Sequence, residues 1–117
     1  MSEAAILAKN AAVTAIANAA KYISIHTVDP AGTGAGELTN VGPYNRVATT
    51  WGVAAGGSIT GSLVTVLMNT GVTIVGWGVW DAPTGGNFWE GGLLPVSETF
   101  NGAGGVFNFT PTLTATG

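Results

Sequence analysis

The chain has 117 residues, of which only three are basic and six are acidic, so its formal net charge is −3. Three cations cannot neutralise a run of phosphates, so the composition excludes direct nucleic-acid binding. The absence of cysteine excludes disulfides, thiol catalysis and cysteine-based metal sites. A chain of this length predicts a single domain, residues 1–117.

Charged residues make up 8% of the chain and hydrophobic residues 46%, whereas an ordinary soluble domain has about 25% charged residues. An apolar surface that is covered in an assembly needs few charges. The composition therefore predicts a self-associating protein or a component of a particle. The first residues favour neither a secretory signal nor a membrane span, because Glu3 precedes any basic residue and Lys9 and Asn10 interrupt the apolar run.

The alanine-rich segment 2–21 predicts a helix, with Ser2 as its N-cap and with Glu3 and Lys21 suited to its two ends. On a helical wheel the apolar side chains cover most of the circumference. A helix on one sheet buries one face, so the second apolar flank predicts a second neighbour. We expect an assembly interface with another copy at Ile6, Val13, Ile16 and Ala20. The alternative is a helix wedged between sheets of its own chain.

From Tyr22 the period changes to 2, and residues 22–117 predict an antiparallel β-sandwich or jelly-roll-like domain. After a Gly-rich loop at 29–43, short apolar strands are cut by Gly, Asn and Pro. The predicted strands are "YISIHTV", "RVATTWGV", "SLVTVLM", "VTIVGWGVW", "NFWEGGLLPV" and "GVFNFTPTL". The segment "DAPTGGN" predicts a hairpin turn between two of them.

Three of the four tryptophans flank this turn. Alternation along the strand puts Trp77 and Trp80 on opposite faces, and Gly76 and Gly78 leave a gap that Trp89 could fill. Core or interface packing is therefore the favoured role of these rings. The alternative is a glycan site, in which Trp51 or Trp89 stacks on a sugar and Asp81 or Glu90 accepts hydrogen bonds from its hydroxyls.

The sequence offers little for catalysis. His26 is the only histidine, and no Gly-x-Ser-x-Gly elbow supplies a nucleophile for it. Asp81 and Glu90 could form a glycosidase pair, but few acids and a short chain leave little room for a cleft. A calcium ion held by Asp29 and Glu37 is a further alternative. We expect no catalytic residue, no cofactor and no metal site.

Three blocks of the chain together resemble a family of small tailed-bacteriophage virion proteins. They are "YISIHTVDP" at Tyr22 to Pro30, "YNR" at Tyr44 to Arg46, and "GVWDAPTGG" at Gly78 to Gly86. The resemblance spans almost the whole chain. Ile25 stands where the family usually has Leu, and Trp77 where it usually has Phe.

This resemblance implies a non-enzymatic structural subunit on the surface of a phage particle, made in the host cytoplasm. Such proteins are tail fibre or minor tail proteins, or head-fibre and capsid decoration proteins. We favour a capsid decoration or minor capsid protein, because one compact module with a docking helix suffices to clamp a shell. Virion symmetry implies a homotrimer, and the expected partners are further copies and other virion proteins such as the major capsid protein. A host-surface glycan is the partner in the tail-fibre alternative.

Overall fold

The computed structural model describes residues 5–38, 44–69, 71–101 and 105–115. These residues form one α-helix and eight strands, all paired antiparallel. The bounds are α1 (Ile6–Ala19), β1 (Tyr22–His26), β2 (Val47–Ala48), β3 (Ser58–Thr60), β4 (Val64–Met68), β5 (Val72–Trp80), β6 (Phe88–Phe100), β7 (Gly105–Phe109) and β8 (Thr112–Thr114). The predicted fold class, mainly β with an N-terminal helix and antiparallel sheets, is confirmed.

The strands form one four-stranded sheet in the order β2-β1-β5-β6 and two two-stranded sheets, β3-β8 and β4-β7. Trp77 of β5 lies against Phe109 of β7, with 5.6 Å between ring centroids. Buried side chains from all three sheets, such as Ile25, Val66 and Leu113, belong to one apolar cluster. The two small sheets therefore cover the inner face of the large one, as in a sandwich. The described residues extend over 48 × 24 × 22 Å.

The helix is shorter than the sequence predicts. The proposed cap Ser2 and its neighbour Glu3 lie outside the described residues, and the N-cap position is Ala5, which has no side-chain cap. At the other end Ala20 is extended, with φ −140° and ψ 138°. Lys21 lies beyond the helix because the sheet holds its backbone: its N–H donates to the Trp80 carbonyl at 3.1 Å and its carbonyl accepts from Thr49 at 2.9 Å.

Several strand bounds also differ from the prediction. The "RVATTWGV" segment contributes only Val47–Ala48, while Ser58–Thr60 forms a strand that the sequence reading missed. The "GVFNFTPTL" segment divides at Pro111, which has no N–H for a sheet, so that β7 pairs with β4 and β8 with β3. The strand after the hairpin continues beyond the predicted Val96 to Phe100.

Candidate functional site

The hairpin turn at residues 81–87 is held together by Asp81. Its carboxylate accepts the Asn87 backbone N–H at 2.8 Å and the Asn87 side-chain amide at 3.0 Å. The Asn87 backbone, then its side chain and then Trp89 donate to this carboxylate, and together they lower the pKa of Asp81. Gly85 and Gly86 have φ values of 62° and 73°, which only glycine adopts freely. The predicted hairpin is present, and its carboxylate stabilises the turn.

Arg46 ties this turn to the preceding loop. Its Nε and Nη2 donate to the two carboxylate oxygens of Glu37, each at 2.8 Å. Its Nη1 donates to the carbonyls of Ala82 and Gly85, also at 2.8 Å. The guanidinium carbon lies 3.9 Å from the centroid of the Trp80 ring. Such a fork-shaped, stacked arrangement suits arginine and not lysine.

Tyr44 completes this network. Its hydroxyl donates to Glu37 at 2.9 Å and accepts from the Ile25 backbone N–H at 3.2 Å. Burial raises the pKa of Tyr44, so the phenol stays protonated as a donor. Burial alone would raise the pKa of Glu37, but the hydrogen bonds from Arg46 and Tyr44 outweigh it and lower that pKa. Glu37 is therefore a paired carboxylate and not the calcium ligand considered from the sequence.

A second buried network contains His26. Its Nδ1–H donates to the Ala35 carbonyl at 2.6 Å, so its Nε2 accepts from the Ser24 hydroxyl at 2.7 Å. The Ser24 oxygen in turn accepts from the Trp80 indole at 2.8 Å. Ser24 and His26 are both 0% exposed. Desolvation by burial lowers the pKa of His26 below its ordinary value of 6.5, so the ring is neutral at pH 7.

This serine–histidine contact lacks the parts of a hydrolase site. A carbonyl oxygen, not a carboxylate, accepts from the imidazole, and the Ser24 hydroxyl is buried. Asp81 and Glu90 do not face each other as a glycosidase pair, because Asp81 accepts the hydrogen bonds of the turn while Glu90 lies half-buried near the Thr114 backbone. Desolvation raises the pKa of Glu90.

The tryptophans lie partly as predicted. Trp77 is buried against the small sheets and Trp80 is on the other face. The gap at Gly78, however, is filled by Phe88 and not by Trp89: a Cβ at Gly78 would lie 2.7 Å from the Phe88 ring. The reason is a bulge, since Val79 pairs with Glu90 while Trp80 pairs with Phe88. Trp89 is the additional residue of this bulge.

The three residues of the predicted glycan site are only partly together. Trp89 is 45% exposed and its indole donates to Asp81 at 3.3 Å. Glu90 is half-buried beside β8 and shares none of these contacts. The other ring considered, Trp51, donates from its indole to the Ala20 carbonyl at 2.8 Å.

The four residues of the predicted interface, in and just after α1, divide between core and surface. Val13 and Ala20 are 1% and 2% exposed and Ile16 packs against the core, so the chain's own sheets cover them. For these three the alternative of packing within the chain describes what is observed. Ile6, in contrast, is 51% exposed. The predicted assembly interface stays a prediction, and of its four residues only Ile6 is exposed in one copy of the chain.

A groove, which we call the helix groove, lies between α1 and residues 48–54. Its deeper part has a volume of about 530 Å³ and a more open part about 490 Å³. Both parts are lined by Thr14, Asn18, Val53 and Ala54. Leu7, which is 83% exposed, lines the open part.

No cluster of side chains able to hold a metal ion occurs in the described ranges. Within those same ranges, no helix is long and apolar enough to cross a bilayer. Arg46, Glu37 and Tyr44 were not expected from the residues as a network. The available signal was that Arg46 is the only arginine in a chain so poor in charge.

The model of a family described as "Podophage GP4 fiber I protein gp80" matches residues 2–115 of the chain. No curated protein matches it significantly.

Proposed function

Because the chain belongs to the family described as podophage GP4 fiber I protein gp80, a family of phage virion structural proteins, we propose that it is a non-enzymatic capsid decoration protein or head fibre. It assembles with copies of itself, as a trimer, on the surface of the particle. Its second contact is with a shell protein such as the major capsid protein.

The observation that carries this proposal is the exposed apolar surface. Ten large hydrophobic side chains are between 45% and 91% exposed, in a chain with three basic and six acidic residues. They are Ile6, Leu7, Val28, Val53, Leu63, Leu67, Trp89, Leu93, Val96 and Val106. Single exposed apolar residues are ordinary, but this number on so uncharged a surface favours coverage by other proteins.

The polar networks support a structural role. Three side chains with ionisable or nucleophilic groups are His26, Ser24 and Glu37. All three form hydrogen bonds within the chain and hold loops to the sheet. Placement on the capsid is supported by the shape, since the described residues form a body 48 Å long and show no repeated unit of a shaft.

Electron microscopy of virions labelled with a gold-conjugated antibody to this protein tests the placement. We expect gold over the capsid at many sites per particle. Gold confined to the tail would overturn the capsid assignment and leave a tail fibre. Purified virions in which the antibody detects no chain after denaturation, although it detects the purified protein under the same conditions, would overturn the virion role itself.

The exposed Trp89 favours a second candidate, a tail fibre protein that binds a host-surface glycan. A half-exposed indole beside a polar turn, with Asp81 and Asn87 at its edge, is a stacking platform of the kind that sugars use. In a glycan array, Trp89→Ala should then abolish binding by the folded protein, while Leu67→Ala, which removes another exposed apolar side chain, should not. If the wild-type protein binds no glycan of the host surface at millimolar concentration, this candidate fails.

A further inference from the structure

The helix groove has the character of a binding surface. Leu7 and Val53, at 83% and 91%, are the two most exposed of the large apolar side chains. Both line the open part of the groove. Apolar side chains at the edge of a concave surface with polar neighbours, here Thr14 and Asn18, are typical of protein contacts.

A protruding counterpart lies on β6. The pairing of β5 with β6 shifts between Gly76, opposite Leu93, and Ile74, opposite Glu98. One β5 residue therefore faces the four residues 94–97, which must bulge out of the ladder. We call residues 93–97 the β6 bulge. Its side chains Leu93 and Val96 are 61% and 71% exposed.

The charges beside these two surfaces are opposite. Arg46 is paired with Glu37, whereas the exposed Lys21 lines the deeper part of the groove. The β6 bulge is followed along its strand by the exposed Glu98. Two helix grooves facing each other would bring lysines together, whereas a groove facing a β6 bulge brings unlike charges together.

We propose that the helix groove of one copy receives the β6 bulge of a second copy. This inference rests on the self-assembly in the proposed function and specifies its geometry. The contact joins two different surfaces, so each copy uses both and a chain of contacts can close into a ring. A contact between identical surfaces about a two-fold axis cannot by itself build a trimer. Leu93 and Val96 would lie against Leu7 and Val53, with Glu98 near Lys21.

The first experiment measures the mass of the purified full chain by light scattering and analytical ultracentrifugation. The groove variant is Val53→Asp and the bulge variant is Val96→Asp. Both positions are exposed, so the monomer should fold, which circular dichroism checks. We expect an oligomer for the wild type and a monomer for each variant, since a buried unpaired carboxylate should weaken association roughly a hundredfold. The matched control Leu67→Asp, at an exposed position on β4 outside both surfaces, should retain the wild-type mass.

A mixture of the two variants separates this geometry from any other. Val53→Asp keeps an intact bulge and Val96→Asp keeps an intact groove. We expect equimolar mixing to give a 1:1 heterodimer and nothing larger, because the two damaged surfaces remain at its ends. If the contact instead joined two identical surfaces, such as two grooves, the mixture would give no heterodimer. A mixture that stays monomeric therefore overturns the proposal.

A charge exchange tests the orientation. Lys21→Glu and Glu98→Lys should each weaken association several-fold, and the double variant should recover most of the loss. Wild-type association by both single aspartate variants would overturn the proposed surface while leaving self-assembly intact. If the wild-type protein is monomeric at all concentrations but the antibody still labels the capsid, contact between copies is overturned and the virion role remains. The same monomer with a stable complex to another virion protein would assign the groove to that partner and overturn the proposal.

Discussion

The hairpin region and the helix groove differ in how their surfaces are satisfied. Around the hairpin, Arg46, Glu37 and Tyr44 direct their polar groups to one another and to backbone carbonyls. Around the groove, Leu7 and Val53 extend into solvent. Within the residues that the structure describes, no other side chain covers them. The first region is complete within one copy of the chain. The second leaves apolar side chains uncovered in one copy of the chain.

The largest expected effect on stability tests whether the polar network of the hairpin region stabilises a single copy of the chain. Arg46→Ala removes a cation whose side chain is 7% exposed and leaves the Glu37 carboxylate, 20% exposed, without its counter-charge. We expect a loss of about 3 kcal/mol in the free energy of unfolding, measured by urea titration. Arg46→Lys keeps the charge but not the fork, so it should lose a smaller amount. A loss below about 1 kcal/mol for Arg46→Ala would show that the network is dispensable.

The packing beneath the hairpin gives the second largest effect. A Cβ at Gly78 would lie 2.7 Å from the Phe88 ring and 2.8 Å from the Ser24 hydroxyl. Gly78→Ala should therefore cost about 2 kcal/mol by overpacking. The matched control is Gly32→Ala, where a Cβ meets nothing within 4 Å. Equal unfolding midpoints for the two variants would contradict the close packing at Gly78.

The buried His26 makes stability depend on pH. Burial lowers the pKa of His26 below 6.5 in the folded state, so below that pH the unfolded state binds a proton that the folded state does not. The free energy of unfolding should then fall as the pH is lowered below 6.5, by at most about 1.4 kcal/mol per pH unit. Urea titrations between pH 7.5 and 5 measure it. The variant His26→Gln should show a much flatter profile over this range, and an unchanged profile would assign the dependence elsewhere.

The smallest effect is expected at the groove. Leu7→Ala should change the stability of the monomer by no more than about 0.5 kcal/mol, because its side chain is already exposed to water. The measurement is a urea titration at a protein concentration below that of assembly. The same variant should weaken association at higher concentration. A large loss of monomer stability would mean that the groove belongs to the chain's own core.

The sequence predicts what depends on neighbours along the chain. Alternating β-branched residues predict β5 with its observed bounds, Val72–Trp80, and Pro83 with the following glycines predicts the turn. The helix is also predicted, but its end is not, because Lys21 is held by Trp80 and Thr49, which are distant in the sequence. Local pattern carries no information about such partners.

The candidate site shows the same limit. The opposite faces of Trp77 and Trp80 follow from alternation, but the bulge at Trp89 breaks that alternation and gives Phe88 the place beside Gly78. Arg46 meets Ala82 and Gly85 across more than 35 residues, with separations of 36 and 39. The split of the helix into covered and open flanks depends equally on where the sheets lie. The apolar circumference of the helix predicts two neighbours, but it does not predict which side chains face each neighbour.

The position of Pro95 has a consequence for crowded copies of this chain. In the part of the fold that the structure describes, β6 is the outermost strand of its sheet, and a long outermost strand is a template for amyloid-like addition of other chains. Pro95 has no N–H, and the displaced residues around it divide the edge into two short stretches. The interrupted edge thus keeps the backbones of neighbouring copies from merging into fibrils.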